Sequence, residues 1–129
     1  MTGSARDRGE SSSEFAAVST VLFALVFCVV HAAALWMGAQ FASTVAAQGA
    51  LTASVVDESA GVVRVLDAVE TTARELGVTL DRAPRVVRSG HAVSVTVSLR
   101  IPRIVPFMAS SVTRTVTRAR EQFMTEDER

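Results

Sequence analysis

The residue types that most often carry out chemistry are scarce in this chain of 129 residues. It has two histidines, His31 and His91, and a single cysteine, Cys28. No histidines and cysteines have the spacing of a zinc site, and no glycine-rich loop between a strand and a helix is available to bind phosphate. No serine has the sequence context of a nucleophile elbow. The sequence therefore predicts a protein that is not an enzyme and that binds neither a metal nor another cofactor.

One acidic residue has an unusual position. Glu14 directly precedes Phe15, and no Asp, Glu, Lys or Arg occurs between Glu14 and Asp57. A carboxylate at this boundary loses hydration if the apolar segment enters a bilayer. The dipole of a helix stabilises an acid in its first turn by only about 0.3–1 kcal/mol, and that effect does not account for Gly9, which lies five residues earlier. The junction from Gly9 to Phe15 is therefore the candidate functional motif.

The segment after this junction is long enough to cross a membrane. Residues 15–37 contain only Ser19, Thr20 and His31 as polar interruptions. As a helix they extend about 35 Å, which exceeds the roughly 30 Å of bilayer hydrocarbon. A chain of this length has too little other sequence to surround such a helix in a core, so we interpret the segment as a transmembrane helix.

The arginines near its two ends predict its orientation. Arg6 and Arg8 precede the segment, whereas the first arginine after it is Arg64. Cytoplasmic flanks carry the excess of basic residues, so the N-terminus is expected in the cytoplasm and the C-terminal part outside. Trp36 then suits the outer interface.

The other reactive residue types receive structural interpretations. We interpret His31 as a neutral imidazole hydrogen-bonded within its own helix, because a proton relay in a single span is rarer. Cys28 serves as a small apolar residue, and His91 as a solvated residue beside a turn.

Beyond the transmembrane helix the sequence predicts a helical stalk at 38–56. Ala42, Ala46 and Ala50 recur every four residues, a spacing that lets another helix approach closely. Alanine is also the best helix former, so a free stalk explains the same pattern.

The rest of the chain, 57–129, predicts a small α+β domain. An amphipathic helix over 57–77 ends at Gly77 as its C-cap, with an apolar stripe of Val62, Leu66, Val69, Ala73 and Leu76. The apolar residues of 93–101 alternate with polar ones, as in a half-buried strand. With Val86 and Val87 before a turn at Ser89 and Gly90, this strand predicts a hairpin whose apolar face packs on the stripe. A weaker helical prediction covers about 109–124.

Net charge limits the partners. The 13 basic residues balance 13 acidic ones and form no block, whereas phosphate binding needs clustered cations. Nucleic acid is therefore not an expected direct partner.

The junction resembles the class III signal of type IV pilin-like proteins, and more narrowly the chain resembles the TadE family of minor pilins or pseudopilins of tight-adherence (Flp-type) pili. The resemblance implies that a prepilin peptidase cuts between Gly9 and Glu10. Glu14 then becomes the fifth mature residue and Phe15 the sixth, and the carboxylate of Glu14 guides assembly. Ala46-Ala47-Gln48-Gly49-Ala50 and the strand that ends at Pro102 extend the resemblance.

The resemblance implies the following organisation: a cytoplasmic leader at 1–9, a transmembrane and assembly helix at 10–37, the stalk at 38–56 and an extracytoplasmic domain at 57–129. The implied partners are the membrane, the prepilin peptidase, other pilin or pseudopilin subunits and the inner-membrane assembly platform. The implied location is the cell membrane or an extracellular pilus.

Two alternatives remain open. The protein is also consistent with a single-pass membrane protein whose outer domain binds a partner, with the spacing of Gly9 and Glu14 accidental. A signal peptidase that cuts between about Ala34 and Gln40 would instead release a secreted domain.

Overall fold

The first helix is the longest element and organises the rest. The computed structural model describes residues 7–56 and 58–119, and describes the backbone alone for 7–12 and 58–60. Helix α1, Asp7–Val55, contains 49 residues and is therefore about 73 Å long. Residues 1–6 of the predicted leader lie outside the described residues.

The second helix ends as the sequence predicts. Helix α2 covers Glu58–Glu75, and Gly77 follows with a φ of 67°. The amide of Val78 donates to the carbonyl of Ala73 at 2.9 Å, and the amide of Gly77 donates to the carbonyl of Arg74 at 3.1 Å. These two bonds form a Schellman motif, in which glycine tolerates the left-handed backbone. The predicted C-cap at Gly77 is confirmed.

Four antiparallel strands form one sheet with the third strand at its centre. The long strand β4 pairs with one edge of β3, while β1 and β2 share the other edge. The bounds are β1 Thr79–Leu80, β2 Arg85–Ser89, β3 Ala92–Arg100 and β4 Ser111–Ala119.

The predicted hairpin is present as β2 and β3. Ser89 pairs with Ala92 as the last rung, which leaves Gly90 and His91 as a two-residue turn. Gly90 has a φ of 47°, and the first position of a type II′ turn requires such a value. The turn is thus one residue later than predicted.

The predicted helix at about 109–124 is wrong for its described part, because Ser111–Ala119 is strand β4. Threonine recurs here at every second position, 113, 115 and 117, valine occupies 112 and 116, and such β-branched side chains favour a strand. All nine residues pair in register with β3. Residues 120–124 lie outside the described residues.

Residues 38–55 are helical as predicted, but they do not form a free stalk. Ala42, Ala46 and Ala50 are fully buried together with Val45, and they belong to the hydrophobic core that includes β3 and α2. The alanines face the sheet and α2. Their small side chains let these elements approach α1 closely. We call residues 38–55, α2 and the sheet the head.

Helix α2 does pack in the core, but with a stripe rotated from the predicted one. Val69 and Ala73 are buried as predicted, whereas Val62 and Leu76 are exposed. The buried stripe runs instead through Val65. Valines stand on both sides of Arg64. Two neighbouring faces of the helix are therefore apolar, and the sequence alone does not show which of them is buried.

Gly49 lies where α1 meets α2 and β3. A Cβ atom at this position would be 2.6 Å from Cγ2 of Val69 and 3.1 Å from Cγ1 of Val95. Both neighbours are stiff β-branched side chains, so this site requires glycine for the observed helix separation.

Both helices lie on one face of the sheet. The buried apolar residues of β3 point toward them: Val93, Val95, Val97 and Leu99. The other face carries hydroxyl side chains that bond across strands, with Oγ of Ser94 and Oγ1 of Thr117 2.8 Å apart and the Oγ1 atoms of Thr96 and Thr115 also 2.8 Å apart. The predicted α+β class, with a long apolar helix and a small antiparallel sheet, is confirmed.

Candidate functional site

The candidate site is the N-terminal half of α1, which emerges from the head without being covered by any other described part of the chain. We call residues 13–30 the bare segment. Its large apolar side chains are exposed all round the helix: Phe15, Val18, Val21, Leu22, Phe23, Leu25, Val26, Phe27, Val29 and Val30. Water-soluble domains rarely expose so large a continuous apolar surface. The bare segment therefore needs an apolar environment, either lipid or other helices.

By length and composition, this part of α1 is able to cross a membrane. The bare segment is about 27 Å long at the rise of an α-helix, close to the roughly 30 Å of bilayer hydrocarbon. Its polar side chains do not prevent this, since Oγ1 of Thr20 donates to the carbonyl of Ala16 at 2.8 Å. The helix thus satisfies this hydroxyl from within.

The predicted processing and assembly residues fall at the start of this helix. Glu14 and Phe15 are adjacent and exposed, and 75% of Phe15 is accessible. The backbone of Gly9 and Glu10 belongs to α1, but the side chain of Glu10 lies outside the described part of the structure. The helix therefore presents a carboxylate directly before its apolar surface.

His31 marks the upper end of the bare segment, and its predicted bond within α1 is wrong. Its side chain is fully buried, and Nε2 is 3.0 Å from the carbonyl oxygen of Ala109. Because that carbonyl only accepts, Nε2 carries the proton in this bond. Nδ1 is buried with no hydrogen-bond partner among the described residues. His31 thus ties α1 to the loop between β3 and β4, a contact 78 positions apart in sequence.

The remaining candidates are not brought together. Cys28 is exposed on the bare segment, and His91 is exposed in the hairpin turn at the opposite end of the head. Within 7–56 and 58–119, no three His, Cys, Asp or Glu side chains form a group able to hold a metal ion.

An open groove of about 720 Å³ lies at the end of the sheet nearest the bare segment. Asp81 and Arg100 line it and form an ion pair at 3.4 Å. The groove contains no histidine and no cysteine, and its other lining residues are Thr79, Ile101, Pro102, Arg103 and Ser110.

Comparison of the chain with protein-family models, with curated proteins and with solved structures finds no match.

The sequence did not predict one feature of this region. The loop between β3 and β4 contains a turn, Val105–Met108, which lies next to α1 near His31. Pro102 and Pro106 indicated that the strand ends here, and Val105, Phe107 and Met108 are apolar. No sequence pattern related this loop to His31.

Proposed function

We propose that this protein is a TadE-like minor pilin or pseudopilin of a tight-adherence pilus or a related secretion assembly. It is anchored by the bare segment, with its N-terminus in the cytoplasm and its head outside. One observation carries the proposal: Gly9 lies five residues before Glu14, at the start of an apolar helix whose side chains are exposed on every side.

The proposed mechanism begins with cleavage between Gly9 and Glu10. Hydrolysis of this peptide bond removes the leader and leaves a new ammonium group on Glu10. As the helices leave the lipid and pack together, the ammonium of one subunit pairs with the Glu14 carboxylate of a neighbouring subunit. In low dielectric a misaligned charge is costly, so the pair selects the register between subunits.

The exposed apolar surface of the bare segment supports the proposed packing of helices from neighbouring subunits. A helix that leaves the bilayer needs a new apolar environment, and exposed side chains around the whole helix provide surface for several neighbours. The described parts of the head leave this surface uncovered, since its large apolar side chains are exposed.

Cleavage is tested by the N-terminus of the protein extracted from membranes. In cells that contain a prepilin peptidase, we expect the mature chain to start at Glu10 and the Gly9→Ala variant to keep its leader. Gly3→Ala is the matched control, because it changes a leader glycine away from the cut. An intact Met1 terminus in the presence of an active peptidase would contradict the proposal.

Gene neighbourhood provides a second test of the assembly role. Adjacent genes for a secretion ATPase, two polytopic membrane platform proteins and a small major pilin are expected. A locus that lacks all of them in the source genome argues against a tight-adherence system.

A second candidate function is a single-pass membrane protein whose head binds an extracytoplasmic partner. The hydroxyl face of the sheet favours this candidate, because serine and threonine side chains of β3 and β4 form hydrogen bonds on it and neither of the two described helices packs on it. Under this proposal Glu14 has no role in pairing, and the leader remains attached.

A further inference from the structure

The turn between β3 and β4 has an unusual residue at its tip. The amide of Met108 donates to the carbonyl of Val105 at 3.2 Å, which places Pro106 and Phe107 at the two central positions. Proline is favoured at the first of these positions, whereas the second usually holds glycine, asparagine, aspartate or serine. Phe107 is instead 89% exposed, the largest exposure among the large apolar side chains of the described residues. The core of the head does not use this phenyl ring.

The loop extends from the head toward the bare segment. At its start the side chain of Ile101 packs against Gly38, and at its end the carbonyl of Ala109 meets Nε2 of His31 at 3.0 Å. Gly38 and His31 are seven residues apart in α1, which corresponds to about 10 Å along the helix axis. The loop therefore runs beside α1 down to the level of His31.

That level coincides with the outer edge of the proposed bilayer. A span of about 20 residues counted from Glu14 ends near position 34. Trp36 is 66% exposed on α1 just beyond this point, where indole rings favour the interface. The turn thus lies at the depth of the lipid headgroups and the first acyl carbons.

The chemistry of the loop fits this depth. Ile104 and Met108 are half-buried beside Phe107, and the exposed Arg103 donates from Nη2 to Oγ of Ser110 at 3.2 Å. Apolar side chains with a neighbouring cation suit the boundary between acyl chains and phosphates. Irregular backbone exposed to lipid does not occur in the hydrocarbon centre, so the contact is interfacial.

We propose that the turn Val105–Met108 is a second membrane contact, in which Phe107 inserts into the outer leaflet. His31 and the carbonyl of Ala109 hold the turn against α1. Two contacts fix the height and the rotation of the head above the bilayer, which one helix alone does not do. This inference rests on the membrane insertion proposed above and is independent of cleavage and of the pilus role.

The test uses single-tryptophan variants of the full chain in a Trp36→Phe background. They are reconstituted in vesicles of palmitoyl-oleoyl-phosphatidylcholine, with and without phosphatidylcholine brominated along the acyl chain. Phe107→Trp reports the turn and Phe23→Trp reports the bare segment. Val87→Trp, on an exposed β2 position at the far end of the head, is the matched control.

We expect brominated lipid to quench Phe107→Trp to an extent comparable with that of wild-type Trp36, with emission shifted to the blue relative to Val87→Trp. Quenching is expected to be strongest when the bromine lies near the headgroup. The Val87→Trp emission is expected to stay unquenched.

Three results would overturn the inference in different ways. If Phe23→Trp is quenched but Phe107→Trp is not, the turn does not touch lipid although the helix is inserted. An emission of Phe107→Trp that is blue-shifted yet insensitive to bromine indicates burial against another protein copy, which also contradicts the proposal. If Phe23→Trp is not quenched, membrane insertion itself fails.

Discussion

Glu14 is the residue on which the proposed assembly role depends most directly. It is exposed at the start of the bare segment, where an ionised group is hydrated at the membrane surface but loses that hydration between packed helices. Pairing with an ammonium of the neighbouring subunit offsets the free energy lost on dehydration of the carboxylate, whereas a misaligned carboxylate stays unpaired. The residue thus contributes to selectivity between registers more than to folding of its own chain.

Replacement of Glu14 by Gln is expected to leave cleavage intact and to weaken assembly. The amide keeps the size of the side chain but loses the charge-assisted bond to the neighbour's ammonium, which contributes about 1.5–3 kcal/mol. Association should fall by roughly tenfold or more, measured by co-purification with the pilus subunits from membranes.

Glu10→Gln is the control for this experiment, because it removes a nearby carboxylate but retains the new terminal ammonium. Equal co-purification of Glu14→Gln and wild-type protein would favour the single-pass membrane protein with a partner-binding head over the pilin-like component.

Strand β4 is the element that departs most from the sequence prediction. A helical interpretation was open because the segment has no glycine and no proline between Ser111 and Ala119. Residues 111–119 form a strand because they pair with the whole of β3. Each residue pair adds backbone hydrogen bonds and cross-strand side-chain contacts that a short surface helix lacks. The hydroxyl groups of Thr96 and Thr115, 2.8 Å apart, are one such contact.

Disulfide trapping checks this register. In a Cys28→Ser background, Thr96→Cys combined with Thr115→Cys is expected to cross-link under mild oxidation, because directly opposed Cβ atoms approach within reach of a disulfide. The control pair, Thr96→Cys with Thr113→Cys, is offset by two residues and should cross-link far less. Formation is measured by mass spectrometry of the purified protein, and equal cross-linking of both pairs would contradict the register.

At the scale of the whole molecule, α1 serves two environments. Its bare segment needs lipid or neighbouring helices, while residues 38–55 supply one wall of the head's core. The bare segment and this wall of the head are therefore parts of one continuous helix, with no linker between them.

A charge placed in this wall is expected to unfold the head. Ala46→Asp buries an unpaired carboxylate at a fully buried site, which costs more than about 3 kcal/mol. Thr44→Asp, two residues earlier on the exposed side of the same turn, should be tolerated. Resistance of the head to protease in detergent distinguishes them, and equal resistance would indicate a free stalk instead of a core helix.

The sequence alone was sufficient for the features that depend on local pattern. The uncharged run predicts the long helix, the alternation in β3 predicts a half-buried strand, and Gly77 predicts the end of α2. The junction at Gly9 and Glu14 is likewise a feature of the sequence, to which the structure adds that both residues belong to α1 and that Glu14 is exposed.

Only the tertiary structure decided which surfaces meet. The same alanine spacing suits a stalk or a core, the same valines allow two rotations of α2, and the same Val/Thr segment allows helix or strand until β3 provides a partner. The bond between His31 and Ala109 joins positions with no local relation. Local pattern determines which face of an element is apolar, but the choice among partners depends on packing between segments distant in sequence.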